Sequence, residues 1–169
     1  KKPALNSWKA LQHEPPTMAI LHHWFGMLNP SAYNLGVITG SVSDLVVVDT
    51  DSLEAARWWE ATFPRTPLVC CTNKGKHFYF RHPGVDVRNG RHLLGRPIDL
   101  RGDGGYVVAP PSIHPQSQSP YEWLQPCDTP WDWCLDEIPV FDPNWLSATT
   151  SRVVPPGRPA EVNVERARR

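Results

Sequence analysis

The sequence predicts an α+β domain built on a mainly antiparallel central sheet. Three observations carry this. Runs rich in β-formers clearly outnumber helical stretches, and short hairpin turns join them. The expected order, one helix, two strands, a second helix and then four strands, also lacks the regular alternation of a doubly wound nucleotide fold. A chain of 169 residues with 40% apolar side chains and eight Trp is large enough for one well-packed domain.

Taken in order, Thr17 to Leu28 reads as a helix, with Met18, Leu21, Trp24, Phe25 and Leu28 on one apolar face. A strand follows at Leu35–Thr39, and Gly40-Ser41 turns the chain into a strand at Leu45–Asp49. Ser52 is the expected N-cap of a helix over Leu53–Phe63, which Pro64 and Pro67 end. Leu68–Thr72 and His77–Arg81 read as a hairpin across Asn73-Lys74-Gly75-Lys76. A loop from His82 to Pro97 leads to a short strand at Ile98–Arg101, a glycine-rich turn, and a strand at Tyr106–Ala109 closed by Pro110-Pro111. A last strand is expected at Tyr121–Leu124 and a short helix near Trp131–Glu137. Positions 1–145 are thus read as one domain that lacks its true N-terminus, because the chain opens Lys1-Lys2-Pro3 without Met. Positions 146–169 read as a Pro- and Arg-rich linker or tail.

Composition narrows the function. Lys+Arg and Asp+Glu both total 17, which argues against a simple basic DNA-coating protein. An enzyme whose acidic metal site offsets a basic groove remains compatible. No apolar run approaches a membrane span and no signal peptide is visible. Cys70, Cys71, Cys127 and Cys134 show no CxxC spacing, so buried free thiols in a reducing, cytoplasmic setting are expected.

The chemistry concentrates at the end of Leu45-Val46-Val47-Val48-Asp49-Thr50-Asp51. Four apolar residues in a row suit a strand buried on both faces. Asp49 and Asp51, two apart, then leave the same face. Two like charges so close are costly unless a cation neutralises them, and carboxylate oxygens favour Mg²⁺ or Mn²⁺. Asp99, in the apolar frame Ile98-Asp99-Leu100, is the third candidate ligand; alone, such an Asp is more often an exposed strand residue. Together the three carboxylates suit two divalent ions about 3.5–4 Å apart, the arrangement used in phosphoryl transfer.

His77 follows Lys74-Gly75-Lys76, where glycine permits close backbone approach and lysines supply positive charge, so the segment suits a triphosphate. A plain solubilised hairpin is an equal reading of these residues. Ser112 and His114 share a face if strand geometry continues past Ala109, and with Arg101 they would form the second half of a phosphate pocket. The bland alternative there is a turn and a proline stop. His13, His22 and His23 carry little weight, and Trp58, Trp59, Trp131 and Trp133 read as core or interface aromatics. Arg81, Arg88, Arg91 and Arg96 suit either a nucleic-acid backbone or a solvated loop.

In this order the motifs resemble the catalytic domain of the bifunctional primase–polymerases, in the archaeo-eukaryotic primase superfamily. The resemblance rests on Val46-Val47-Val48-Asp49-Thr50-Asp51, the Thr72–Phe80 hairpin with His77, and Ile98-Asp99-Leu100-Arg101-Gly102-Asp103-Gly104-Gly105-Tyr106-Val107-Val108-Ala109-Pro110-Pro111-Ser112. Lys2-Pro3, Trp8 and Asn34-Leu35-Gly36-Val37 extend it upstream. It implies an RRM-like catalytic sheet packed with a small N-terminal α/β subdomain, and a DNA-templated nucleotidyl transferase, primase or polymerase, using two Mg²⁺ or Mn²⁺ ions. Asp49, Asp51 and Asp99 would bind the metals and His77 the incoming nucleotide's phosphates, with Lys74, Lys76, Arg101, Ser112 and His114 as further nucleotide contacts. The implied partners are single-stranded template or primer–template DNA, dNTP or NTP, and a downstream helical priming domain or helicase, in a prokaryotic, phage, plasmid or mobile-element setting without a membrane. One departure is that Gly75 stands where the family commonly has Ser.

Three other readings compete. A haloacid-dehalogenase-type phosphatase shares strand-Asp-x-Asp, but the second Asp required after Gly102-Asp103 is Val107 here. A metal-dependent glycosyltransferase gives no account of the Gly-Gly-Tyr segment. A non-catalytic, DNA-binding replication-initiator module has no reason to concentrate acids near phosphates.

Overall fold

The computed structural model describes residues 4–5, 7–27, 33–124 and 137–147. Within them the fold is α+β: helices α1 (Met18–Met27) and α2 (Leu53–Thr62), and strands β1 (Leu35–Ile38), β2 (Leu45–Thr50), β3 (Val69–Cys71), β4 (Lys76–Arg81), β5 (Ile98–Arg101), β6 (Tyr106–Ala109) and β7 (Glu122–Trp123). All nine elements expected within these residues form at the expected places, shifted by one or two positions at their ends, and a third sort of element joins them. Short 3-10 turns occur at Lys9–Gln12, Leu93–Gly95 and Pro143–Leu146. The helix expected near Trp131–Glu137, most of the tail, and Cys127 and Cys134 lie outside the described residues.

The main sheet has the order β5-β2-β4-β3-β7, and β1 and β6 form a separate two-stranded ribbon. Every strand pair is antiparallel. Strands β2, β3, β4 and β5, with α2 after the first, are arranged as in an RRM-like sheet. One difference stands out: the 82–97 connection carries the 3-10 turn and no α-helix, where an RRM places its second helix.

The valine run explains why β2 is central. Val46, Val47 and Val48 are all essentially fully buried, but they alternate between two cores. Val46 and Val48 join Trp59, Phe78, Phe80, Ile98 and Leu100 beneath α2. Val47 joins Tyr79, Val107, Val108 and Tyr121 on the opposite face, under the β1–β6 ribbon. α2 starts where Ser52 Oγ accepts a hydrogen bond from Ala55 N (3.1 Å), the N-cap that its position predicts. It presents Ala55, Ala56 and Trp59 to the sheet, so its small residues let the helix settle close while one indole fills the core.

Candidate active site

Because the pairing is in register, one row of residues crosses the sheet side by side. Asp99 of β5 pairs with Asp49 of β2, Asp49 with His77 of β4, His77 with Cys70 of β3, and Cys70 with Trp123 of β7. Side chains in such a row share a face. It is the face away from α2, because Val47 and Tyr79, two residues from Asp49 and His77, pack into the ribbon-side core. Asp51 follows one residue beyond β2, its N–H donating to the Pro97 carbonyl at 2.9 Å. A polar cleft of about 180 Å³ opens here, lined by Asp49, Asp51, Thr72, Asn73, Lys74, His77, His114 and Tyr121. A larger hollow of about 300 Å³ beside Trp59 and Pro64 lies on the α2 side and takes none of these residues.

The acids are held by specific partners. His77 Nε2 lies 3.3 Å from Asp49 Oδ1. Arg101 Nη2 lies 2.8 Å from Asp99 Oδ2 and 3.6 Å from Asp49 Oδ2. The His92 backbone N–H donates to the other Asp99 oxygen at 3.1 Å. Asp51 is exposed, and its carboxyl is pushed above the usual carboxylate range by partial burial and then by the charges of Asp49 and Asp99, against the opposing pull of Lys74 and Arg101. The part of that shift due to Asp49 and Asp99, second to burial, is the like-charge repulsion for which a cation is the natural relief. Among the described residues, no three or more His, Cys, Asp or Glu side chains converge on one point as a closed metal cluster. The Arg101 guanidinium instead lies against Asp49 and Asp99 and supplies positive charge there. The hard oxygen donors themselves fit Mg²⁺ or Mn²⁺.

His77 is only 3% exposed, and its buried Nδ1 has no hydrogen-bond partner. An orphaned ring nitrogen costs about 1–3 kcal/mol. An apolar ring would fill the place more cheaply, so the imidazole is not explained by stability.

The other expected contacts separate. Lys74 and His114 line the cleft. His114 Nδ1 is engaged by Ser117, whose Oγ is 3.0 Å away and whose N–H donates at 3.3 Å; this directs the ring's Nε2 side elsewhere. Lys76 does not join them: it points to the α2 side, where Nζ pairs with Glu60 at 2.6 Å. Period-2 alternation already required this, since Lys76 and His77 are neighbours on one strand. Ser112 and His114 do not share a strand face either. β6 stops at Ala109, residues 110–111 form a turn, and the buried Ser112 Oγ accepts from Leu35 N at 2.8 Å. Of the loop arginines, Arg81 Nε donates to Ile138 O, Arg96 stacks on Trp58, and Arg88 and Arg91 are exposed.

Asn73 and Tyr121 line the cleft without having been singled out in the sequence. Asn73 sits in the predicted hairpin turn beside Lys74, which was its signal. Tyr121 arrives by a long-range return of the chain, where its N–H donates to Ser112 O at 2.8 Å, and nothing local announces that.

A family model described as bifunctional DNA primase/polymerase, N-terminal, matches residues 1–145. No curated protein matches the chain.

Proposed function

The chain belongs to the bifunctional DNA primase/polymerase family, and from that membership we propose that the cleft at the end of β2 carries out DNA-templated nucleotidyl transfer. The single observation that supports this best is the in-register row Asp99–Asp49–His77, opening onto a polar cleft that also takes Asp51, Lys74 and His114. Acids alone would repel a triphosphate. Acids beside a lysine and two histidines suit a phosphate that arrives together with divalent cations.

In this reading Asp49, Asp51 and Asp99 hold two Mg²⁺ or Mn²⁺ ions. Such ions, when bound, activate a primer 3′-hydroxyl and stabilise the leaving oxygen of pyrophosphate. The chain's own residues do the rest. Lys74, on the hairpin rim, draws the triphosphate in by charge. His77 Nε2, 3.3 Å from Asp49 Oδ1, offers its donor to a phosphate oxygen once that carboxylate turns to a metal, and His114, which also lines the cleft, offers another. Tyr121 packs beside both rings, 6.0 Å from His77 and 6.4 Å from His114 between centroids, and keeps them in place.

The test is primer extension and de novo synthesis on a single-stranded DNA template, with Mn²⁺ or Mg²⁺ and labelled dNTP or NTP. Asp49→Ala and Asp99→Ala should each lower incorporation by at least about a hundredfold, the loss expected when a metal ligand is removed. Template-independent phosphate release that survives both substitutions would sink the proposal, and so would template binding without any incorporation.

A further inference from the structure

Beside the cleft, a second cation in addition to Lys74 stands against the acids. Arg101 lies two residues along β5 from Asp99, on the same face, and its Nη2 contacts one oxygen of Asp99 and one of Asp49 at 2.8 and 3.6 Å. The remaining oxygens of this pair are also engaged, Asp99 Oδ1 by the His92 N–H and Asp49 Oδ1 by His77 Nε2. The Arg101 side chain is 24% exposed, so it already reaches solvent on one side. Arg91, by contrast, approaches Asp99 only to 4.0 Å and is 79% exposed.

We propose that Arg101 is a resident counter-ion that a divalent metal must displace. It holds Asp49 and Asp99 together against their repulsion before metal arrives, and metal loading releases it toward the incoming phosphates. The inference rests on the proposed metal-dependent chemistry of this cleft. The physical ground is exclusion. A metal held by Asp49 and Asp99 would need the carboxylate oxygens that Arg101 now approaches. A guanidinium nitrogen hydrogen-bonded to Asp99 Oδ2 at 2.8 Å and held 3.6 Å from Asp49 Oδ2 by charge takes the space between the two carboxylates. The two cations also repel each other across this distance. Arg101 therefore lowers the affinity of the empty cleft for metal, while lending its charge to the nucleotide once displaced.

Mn²⁺ titration of the whole chain without nucleotide or DNA, followed by loss of the free-ion paramagnetic resonance signal, tests this directly. Arg101→Gln should bind Mn²⁺ about tenfold more tightly than wild type, for loss of about one partly screened competing charge. Arg91→Gln should change it less than about twofold, as an exposed charge. The nucleotide KM of Arg101→Gln should move the opposite way, upward, a split that a purely structural arginine would not produce. If Arg101→Gln fails to fold, wild-type protein still decides. In side-chain ¹⁵N spectra the Arg101 guanidinium should rotate slowly without metal and freely once Mg²⁺ is saturating. Equal Mn²⁺ affinity in wild type and Arg101→Gln, or an Arg101 still held under saturating Mg²⁺, overturns the exchange and leaves the metal site standing. No Mn²⁺ binding in any variant overturns both the exchange and the reading on which it rests.

Discussion

At the scale of single residues, two sets of described carboxylates have opposite environments. Asp49, Asp51 and Asp99 crowd one another, and Asp51 is pushed toward its protonated form. Asp103 is the reverse. Burial alone would raise its pKa, but the N–H groups of Ser41 and Val87 and the ring of His82 donate to it, and together they hold it well below the usual carboxylate range. Its Oδ1 accepts from Ser41 N at 2.9 Å; its Oδ2 accepts from Val87 N at 2.9 Å and lies 3.0 Å from His82 Nε2. One carboxylate thus ties the β1–β2 turn and the 82–97 loop to the Gly102–Gly105 turn. A depressed folded-state pKa contributes stability that is present above the unfolded value, near 3.9, and is lost as pH falls through the folded value. Asp103→Asn should therefore cost about 2 kcal/mol in urea unfolding at pH 7, and the gap to wild type should narrow only below about pH 4. A gap that persists unchanged at pH 3 would show that shape, not charge, is what Asp103 supplies. From the sequence, Asp103 registered only as a phosphatase-style ligand that lacked its partner. Its real role depends on three segments meeting in space, which no local pattern encodes. The placement of Asp49, Asp51, Asp99 and His77 was legible because each lies on a strand or at its end, where alternation fixes the face.

At the scale of elements, the β3–β4 hairpin explains a departure that the sequence only registers. Gly75 is buried, and a Cβ built there would overlap the carbonyl carbon and oxygen of Thr50. The hairpin is drawn this close because Thr50 Oγ1 accepts from Lys76 N at 2.9 Å and donates to Lys76 O at 3.0 Å. Thr72 closes the turn, accepting from Gly75 N at 3.1 Å. A serine at 75, common in the family, would not fit this approach; its Cβ, not its hydroxyl, is the obstacle. Glycine here is a demand for space rather than for an unusual φ. Gly75→Ala should push the hairpin away from the end of β2 and cost about 1–3 kcal/mol, as overpacking does. Since His77 and Lys74 ride on that hairpin, nucleotide KM should rise as well. Unchanged stability and KM in Gly75→Ala would mean that the hairpin yields freely and does not set the cleft. The hairpin itself is readable from Asn73-Lys74-Gly75-Lys76, and alternation along β4 places Lys76 on the face opposite His77. The chain's exit from β6 is not readable in this way, because strand geometry stops at Ala109 and a proline turn follows.

At the scale of the whole molecule, a single sheet separates two kinds of work. One face is dry and carries α2, Trp59, Phe78, Phe80 and Leu100. The other carries the ribbon at one end and the polar cleft at the other. The period-2 reading of Val46–Val48 already implies two covered faces, but which one would hold the acids depended on the register that aligns Asp99, Asp49 and His77. This division predicts that packing beneath α2 can be altered without altering the cleft. Trp59 is the sharpest place to ask, being 1% exposed with an indole N–H that finds no hydrogen-bond partner. Trp59→Phe removes volume, which destabilises, and also removes the unpartnered donor, which stabilises. The net change should stay below about 1.5 kcal/mol, whereas Trp59→Ala should cost about 3–5 kcal/mol. Both variants, measured at a temperature where they remain folded, should keep Mn²⁺ affinity and nucleotide KM within about twofold of wild type, because distant sites with no shared partners add independently. A large KM change in Trp59→Phe with stability intact would mean that β2 and β4 transmit strain from the dry face to the acids, and that the sheet acts as one mechanical unit rather than a partition.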